Sequence, residues 1–478
     1  MAVPDDDDHH HLVFICTPAI GNLVPAVEFA VRLVNHDSRF FVTFLAIDIP
    51  GTPLVNAYTQ SRFSLSLSQD IQFIHLPPLE PPSPNLYNSY IGYLSLLFES
   101  HKPNVKNSIS HLQKLHNSSR IVGIFVDMFT TAFIDVANDL QIPSYLFFAS
   151  PATFLSLMIH LSKMDHDRFN ALILDSDAEF VLPSYVHSLT VNLLPPTLST
   201  EDGLFWYAHH GRRYGETKGV VINTFAELEP HALRSLDEVP PVYAIGPVVD
   251  LGGPAQWQPS HGTHQSVVKW LDGQPEGSVV LLSFGSMGSL DKDQVREIAF
   301  GLERVGFRFV WAVRQPPKTK LEHPDDYSDL NDVLPEGFLT RTAGRGLVCG
   351  WVPQVTILSH GAIGGFVSHC GWNSILESLW LGVPIATWPV YAEQQMNAFE
   401  MVKELELAVE LRLDYRKGSK LVTAEELETA LRRLMDGRED VRSRVKQMGE
   451  KCRTVLVENG SSYRALNSLI DKLTAQIL

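Results

Sequence analysis

Residues 363–382 read IGGFVSHCGWNSILESLWLG. The first seven residues form an apolar run of strand length. Cys370-Gly371-Trp372 turns the chain, and NSILESLWLG has the period of a short helix that Gly382 stops. A buried strand that feeds directly into a helix is the building unit of a doubly wound α/β sheet. Ligands of such sheets sit at the carboxyl ends of the strands. At this turn an imidazole (His369), a carboxamide (Asn373), a hydroxyl (Ser374) and the first helix amides converge, which suits a phosphate or diphosphate. Asn and Ser are also the usual N-cap residues, so the stretch alone leaves both readings open.

The flanks favour the anion site. Trp351 follows Gly350 at the end of another apolar run, where an indole face can stack on a planar base. Gln354 and Glu377 can accept from sugar hydroxyls, and Glu377 lies one helical turn beyond Asn373 on the same face. Glu393-Gln394, after the Pro389 turn, places a carboxylate beside a carboxamide, a pair that fits vicinal hydroxyls of a pyranose. Readers of base, ribose, diphosphate and sugar thus follow one another from Trp351 to Gln394.

The same alternation runs through the rest of the chain. HLVFIC, FFVTFLAI, IQFIHL, IVGIFVDM, SYLFFAS and GVVINTF are strand-like runs separated by helical patterns. Runs apolar throughout indicate a parallel sheet covered on both faces. Periodicity fails from Val239 to Gln265, where Pro and Gly accumulate, and then restarts with SVVLLSFGS, RFVWAV, GLVCG and IATW. Two successive Rossmann-like doubly wound units are therefore expected, with a ligand in a cleft between them. Gln315–Val333 reads as a mobile surface loop, Thr423-Ala424-Glu425-Glu426 as a capping box, and 462–477 as the closing helix.

Length and composition agree. The chain has 478 residues, long for one core, with 45% apolar and 19% charged residues. A formal charge of -16 argues against nucleic acid as a partner. Four dispersed cysteines without a CxxC suggest free thiols in a reducing cytoplasm. The apolar run after the acidic opening is too short for a signal-peptide core or a membrane span. His9–His11 beside four aspartates reads as a frayed tail rather than a metal site. No GxGxxG follows the first strand, no GxxxxGK[ST] occurs, and neither Ser286 nor Ser374 sits in a GxSxG elbow. Nicotinamide, P-loop and hydrolase chemistries lose support accordingly.

The block from Trp351 to Gln394 resembles, nearly residue for residue, the signature box of plant UDP-glycosyltransferases, and the resemblance extends over the whole chain. It implies a GT-B fold and inverting transfer from a UDP-sugar to a hydroxyl or carboxyl of a small lipophilic metabolite. By that resemblance 1–245 would bind the acceptor, 246–265 would be the linker, 266–460 would bind the UDP-sugar, and 461–478 would pack back on the first domain. Trp351 would stack on uracil and the Val352 backbone would bond its edge. Gln354 and Glu377 would hold the ribose, and Ser286, His369, Asn373 and Ser374 the diphosphate. Trp372, Glu393 and Gln394 would hold the sugar, and a terminal Gln goes with glucose. The resemblance implies a cytoplasmic monomer without cofactor or metal, whose partners are the UDP-sugar and the acceptor. The rival GT-B phosphorylase needs no uridine site, which Trp351 argues against.

One position departs from the pattern. After the first strand, in CTPAIGNLVP, the family has Gly-His, the general base, which a later Asp orients. Asp127 matches that Asp, but Gly21 is followed by Asn22. A carboxamide has no usable basicity at neutral pH. Asn22 therefore implies an engineered change, a natural divergence toward an acceptor that needs little help, or a pseudoenzyme that binds nucleotide-sugars without turnover. Ile20, Phe129, Phe148, Leu194, Phe205 and Tyr391 are the candidates for the acceptor pocket, because they lie near strand ends or in the irregular region.

Overall fold

A computed structural model of the chain describes residues 10–49, 52–64, 70–115, 120–253, 261–317, 324–415, 420–436 and 439–475. It divides into two units. The first comprises residues 1–186, 197–248 and 454–478, the second 187–196 and 249–453. The first unit thus runs three residues past the expected boundary at 245, and a short segment, 187–196, belongs to the second.

The first unit is built on a seven-stranded sheet. Its strands are β1 (His10–Ile15), β2 (Phe40–Ala46), β3 (Ile71–His75), β4 (Arg120–Asp127), β5 (Ser144–Phe148), β6 (Val220–Ile222) and β7 (Val242–Ala244). The order is β3-β2-β1-β4-β5-β6-β7, all parallel. Every residue of β1 is buried because the strand is central and both its faces are covered. Stacked aromatics fill that core: Phe14 lies on Phe125 with centroids 4.4 Å apart, and Phe29 on Phe147 at 5.3 Å.

His10 and His11 correct the reading of a frayed tail. Both open β1, pair with Phe40 and Phe41, and are buried, and His11 Nε2 bonds the Thr43 hydroxyl at 2.7 Å. Pairing within a central strand, not their own polarity, decides their place. His9 lies outside the described residues. No cluster of three or more metal-binding side chains occurs among those described.

Helix α1 spans Ile20–His36 and so begins within the CTPAIGNLVP stretch. Pro25 is inside it and removes one intrahelical bond, which burial of Leu23, Ala26, Val27, Phe29 and Ala30 outweighs. Asn22 therefore stands in the first turn of a helix rather than in a loop. Further along are α2 (Tyr90–Leu115), α3 (Phe133–Asp139), α4 (Ala152–Lys163) and α5 (Glu201–Tyr214).

The second unit has a six-stranded sheet. Its strands are β8 (Val279–Ser283), β9 (Arg308–Ala312), β12 (Gly346–Cys349), β13 (Ile363–Ser368), β14 (Ile385–Thr387) and β15 (Ala408–Glu410). The order is β12-β9-β8-β13-β14-β15, again parallel. The amphipathic α6 (Lys292–Val305) packs on it. The Asp291 carboxylate caps this helix by accepting the Gln294 N–H, and Gly306, at φ 75°, ends it.

Between β9 and β12 the expected mobile loop is partly ordered. A short antiparallel pair, β10 (Arg314–Gln315) and β11 (Asp325–Asp326), precedes Tyr327, Leu330, Val333 and Leu334, which pack on the core. Those apolar side chains, spaced among acidic ones, tie the segment down. Residues 318–323 are outside the described set. Further helices include α7 (Gln354–Leu358), α8 (Trp372–Leu381), α9 (Gln394–Phe399), α10 (Ala424–Met435) and α11 (Ser461–Thr474). α10 carries the full capping box, with Thr423 and Glu426 bonded reciprocally.

α11 returns to the first unit. There His36 Nε2 bonds Asn467 Oδ1 at 2.6 Å, and the Ser462 hydroxyl donates to the Gly246 carbonyl. Arg32 of α1 donates to the carbonyls of Ile245 and Pro247, both at 2.7 Å, and so holds the exit of the first sheet. No described helix is long and apolar enough to cross a membrane.

Candidate active site

Both sheets have the strand order that reverses direction beside their first strand, and each reversal leaves a crevice at the carboxyl ends. In the second unit the reversal falls between β8 and β13. It brings Gly285-Ser286, after β8, against His369, after β13. A Cβ on Gly285 would lie 2.5 Å from His369 Nε2, and a Cβ on Gly371 would lie 2.5 Å from the same atom. The imidazole is thus held in a slot that two glycines make possible. Gly285 also has φ 76°, a backbone region that only glycine enters freely.

His369 is 5% exposed. Burial pushes its pKa down to about 4, against a smaller opposing pull from the Ser283 backbone. The ring is neutral near pH 7 and offers an N–H rather than a positive charge. Tyr391 stacks beside it, centroids 6.3 Å apart. The turn into α8 is bought into shape by several bonds: Cys370, at φ 61°, donates its N–H to the Ser368 hydroxyl, and its carbonyl accepts from Asn397 Nδ2 at 2.9 Å. Asn397, a member of α9, escaped the sequence reading. Its sequence shows a helix side chain and nothing of the turn it reaches.

α8 starts at Trp372, and its N-cap Gly371 makes no side-chain cap bond. Ser374 is instead bonded by Gln354, whose Nε2 donates to Ser374 Oγ and to Glu377 Oε2, both at 2.7 Å. Burial raises the Glu377 pKa to about 7, with Gln354 opposing the shift and Asp250 adding to it. Gln354, Ser374 and Glu377 therefore form one hydrogen-bonded cluster across α7 and α8. Trp351 and Ser286 are half-buried at the ends of β12 and β8, and Val352 is buried. Among the described residues no bond engages the Val352 N–H or C=O.

Two expected sugar readers are buried. Trp372 is only 3% exposed. Gln394 is buried, and its Oε1 accepts the N–H groups of Val390 and Tyr391, both at 2.9 Å. Its carbonyl shapes the Pro389 turn, and its side-chain amide also bonds the Tyr391 hydroxyl. Glu393 is half-buried at the start of α9.

In the first unit the reversal falls between β1 and β4 and joins Thr17 to Asp127. The Thr17 N–H donates to Asp127 Oδ2 at 2.6 Å, and the Thr17 hydroxyl donates to Oδ1 at 2.9 Å. Oδ1 also accepts from the amides of Phe129 and Thr130, both at 3.0 Å. Burial raises the Asp127 pKa, and these bonds oppose the rise. Asn22 is half-buried. Its N–H donates to the Ala19 carbonyl at 3.0 Å, and no bond to its side chain occurs among the described residues. Asp127 is thus held by Thr17, not by residue 22.

The acceptor candidates separate. Ile20 and Phe129 are half-buried near Asn22 and Asp127 in the chain, and Phe205 is 50% exposed on α5. Phe148 is instead a core side chain, packed against Phe154 and Tyr214, and Leu194 is buried in the second unit. For both, the apolar surface around a strand end outweighs proximity to the crevice in sequence. Tyr391 stands beside His369, as described above. His210 was missed: it is buried, with Nδ1 on the Thr131 hydroxyl at 2.7 Å and Nε2 on the Ser95 hydroxyl at 2.9 Å. It ties α5 and α2 to the loop after Asp127, a long-range arrangement without a local signal.

Two parallel doubly wound sheets of this order have the architecture of the GT-B class. A family model described as UDP-glucoronosyl and UDP-glucosyl transferase matches residues 215–445. UDP-glycosyltransferase 43 of Pueraria montana var. lobata is 52% identical over 475 residues, 98% of this chain and 99% of that protein. UDP-glucose flavonoid 3-O-glucosyltransferase 6 of Fragaria ananassa is 43% identical over 475 residues, 97% of this chain and 98% of that protein. The crystal structure of Medicago truncatula UGT71G1 complexed with UDP-glucose superposes with a TM-score of 0.89 at 42% identity, covering 99% of this chain and all of that one. The chain belongs to the plant UDP-glycosyltransferase family.

Proposed function

We propose that this enzyme transfers glucose, with inversion, from UDP-glucose to a hydroxyl or carboxyl of a small flavonoid-type plant metabolite. The observation that carries the donor half is the neutral His369 in its glycine slot, beside the α8 N-terminus and the Gln354–Ser374–Glu377 cluster. Uracil stacks on Trp351 and bonds the Val352 backbone, which has no protein partner among the described residues. Gln354 and Glu377 take the ribose. Ser286, His369, Asn373 and Ser374 surround the diphosphate. Glu393, Gln394 and Trp372 take the sugar. The leaving UDP gains charge as the glycosidic bond breaks. The helix amides and the imidazole N–H stabilise that charge by hydrogen bonds already in place, so no metal is required.

The acceptor half is read from Thr17 and Asp127. With Asp127 satisfied by Thr17 and Asn22 unable to take a proton, acceptors that ionise readily are favoured: carboxylic acids and acidic phenols. The test is UDP release from UDP-glucose with a panel of flavonoid phenols and aromatic carboxylic acids. Release that depends on an acidic acceptor supports the reading. Donor binding without transfer to any acceptor would make the chain a nucleotide-sugar binder.

A further inference from the structure

We infer that Arg314 and Asp326 are a positioning pair for the nucleobase platform: Asp326 fixes the Trp351 backbone, and Arg314 fixes Asp326. This rests on the reading that Trp351 carries the uracil. Asp326 Oδ1 accepts the Trp351 N–H at 3.0 Å. Arg314 Nε lies 3.0 Å from the same oxygen, and the guanidinium also donates to the carbonyls of Pro324 and Asp325. The Arg314 side chain is largely buried while that of Asp326 is half open to solvent. The arginine is therefore the anchor and the aspartate the reaching arm.

Gly350 makes the approach possible. A Cβ there would lie 2.2 Å from Asp326 Cγ, inside the carboxylate. The Trp351 amide is taken by protein, and the next amide, that of Val352, has no protein partner among the described residues. The pair thereby selects which amide meets the base edge and sets the plane of the peptide that carries the indole. Charge matters as well. A carboxylate without its guanidinium would stand near a dianionic donor and repel it. With the Asp326 carboxylate half open to solvent, the pair contributes little to folding, so its effect is expected in binding.

The test is steady-state kinetics of the full chain with UDP-glucose, alongside thermal melting. Asp326→Ala should raise the donor KM about three- to tenfold, the range of one lost hydrogen bond, with kcat at saturating donor changed less than about twofold. Asp326→Asn keeps an oxygen for the Trp351 N–H and should have a smaller effect. Arg314→Ala should weaken donor binding more than Arg314→Ala/Asp326→Asn, because only the single variant leaves an unpaired carboxylate. Asp326→Ala should add less in a Trp351→Ala background than in the wild type. A wild-type donor KM in Asp326→Ala, or an effect that multiplies in full with Trp351→Ala, overturns the inference. Trp351→Ala with an unchanged donor KM overturns the platform reading itself, and the pair's role with it. Should Asp326→Ala not fold, the comparison of Arg314→Ala with its double variant decides.

Discussion

The Thr17 hydroxyl donates to Asp127 Oδ1 at 2.9 Å and the Thr17 N–H to Oδ2 at 2.6 Å, so the carboxylate that would orient a base at position 22 is held by its neighbour across the sheet. Asp127 keeps its place whatever residue 22 is. That makes the role of Asn22 testable without disturbing the site.

Asn22→His should raise transfer to a simple, weakly acidic phenol by about a hundredfold or more, the usual worth of a general base. Transfer to a carboxylic acid, already ionised at neutral pH, should change little. The two acceptors are compared by kcat/KM at saturating UDP-glucose. Equal rates before and after on both acceptors would show that residue 22 does not face the reacting oxygen.

Glu377 makes donor binding depend on pH. Burial raises its folded pKa to about 7, above the ordinary carboxylate value, so the unfolded chain ionises first. Its contribution to stability is therefore fully present below the unfolded pKa of about 4.3 and declines as pH rises to about 7. The ionised form is the better acceptor for ribose hydroxyls, so the KM for UDP-glucose should fall about tenfold between pH 6 and pH 8. Glu377→Gln should flatten that profile. His369, with its pKa near 4, is already neutral throughout this range.

The glycine slot predicts two different losses. Gly285→Ala places a Cβ 2.5 Å from His369 Nε2 at a backbone φ of 76° and meets both clash and strain. Gly371→Ala, at φ -64°, meets the clash alone. Both should raise the donor KM. Gly285→Ala should also destabilise more, by about 1–3 kcal/mol for the strained residue. Chemical denaturation of the two variants measures the difference. Equal stabilities would remove the strain argument.

Away from the site, Thr423→Ala should cost about 1 kcal/mol of stability by removing the N-cap of α10. The Thr423 hydroxyl accepts the Glu426 N–H at 3.3 Å, and Glu426 answers at the Thr423 N–H at 2.8 Å. Donor and acceptor KM values should stay at wild type. A shift in the donor KM would connect α10 to the binding site in a way its bonds do not suggest.

Much of this was legible residue by residue. Strands apolar on both faces announced parallel sheets, and the run from Trp351 to Gln394 carried the resemblance to the family to which the chain belongs. The capping box at Thr423 was legible because its bonds lie within four residues. Ile20 as the start of α1 was not, because Pro25 argues against an early start and only packing overrides it. The buried strand positions of His10 and His11 were hidden too. Their polarity speaks for solvent until a neighbouring strand supplies Phe40, Phe41 and Thr43.

The local order of apolar and polar residues was enough to establish two doubly wound units and the absence of a basic imidazole at position 22. Those follow from short-range periodicity and residue chemistry, which the chain carries wherever it goes. Contacts between distant segments were left to the folded molecule: Thr17 with Asp127, two glycines around one imidazole, Gln354 between Ser374 and Glu377, Asp326 on the Trp351 amide. Each joins residues brought together by strand order alone, and strand order depends on the free energy of the whole packed sheet rather than on any stretch of it.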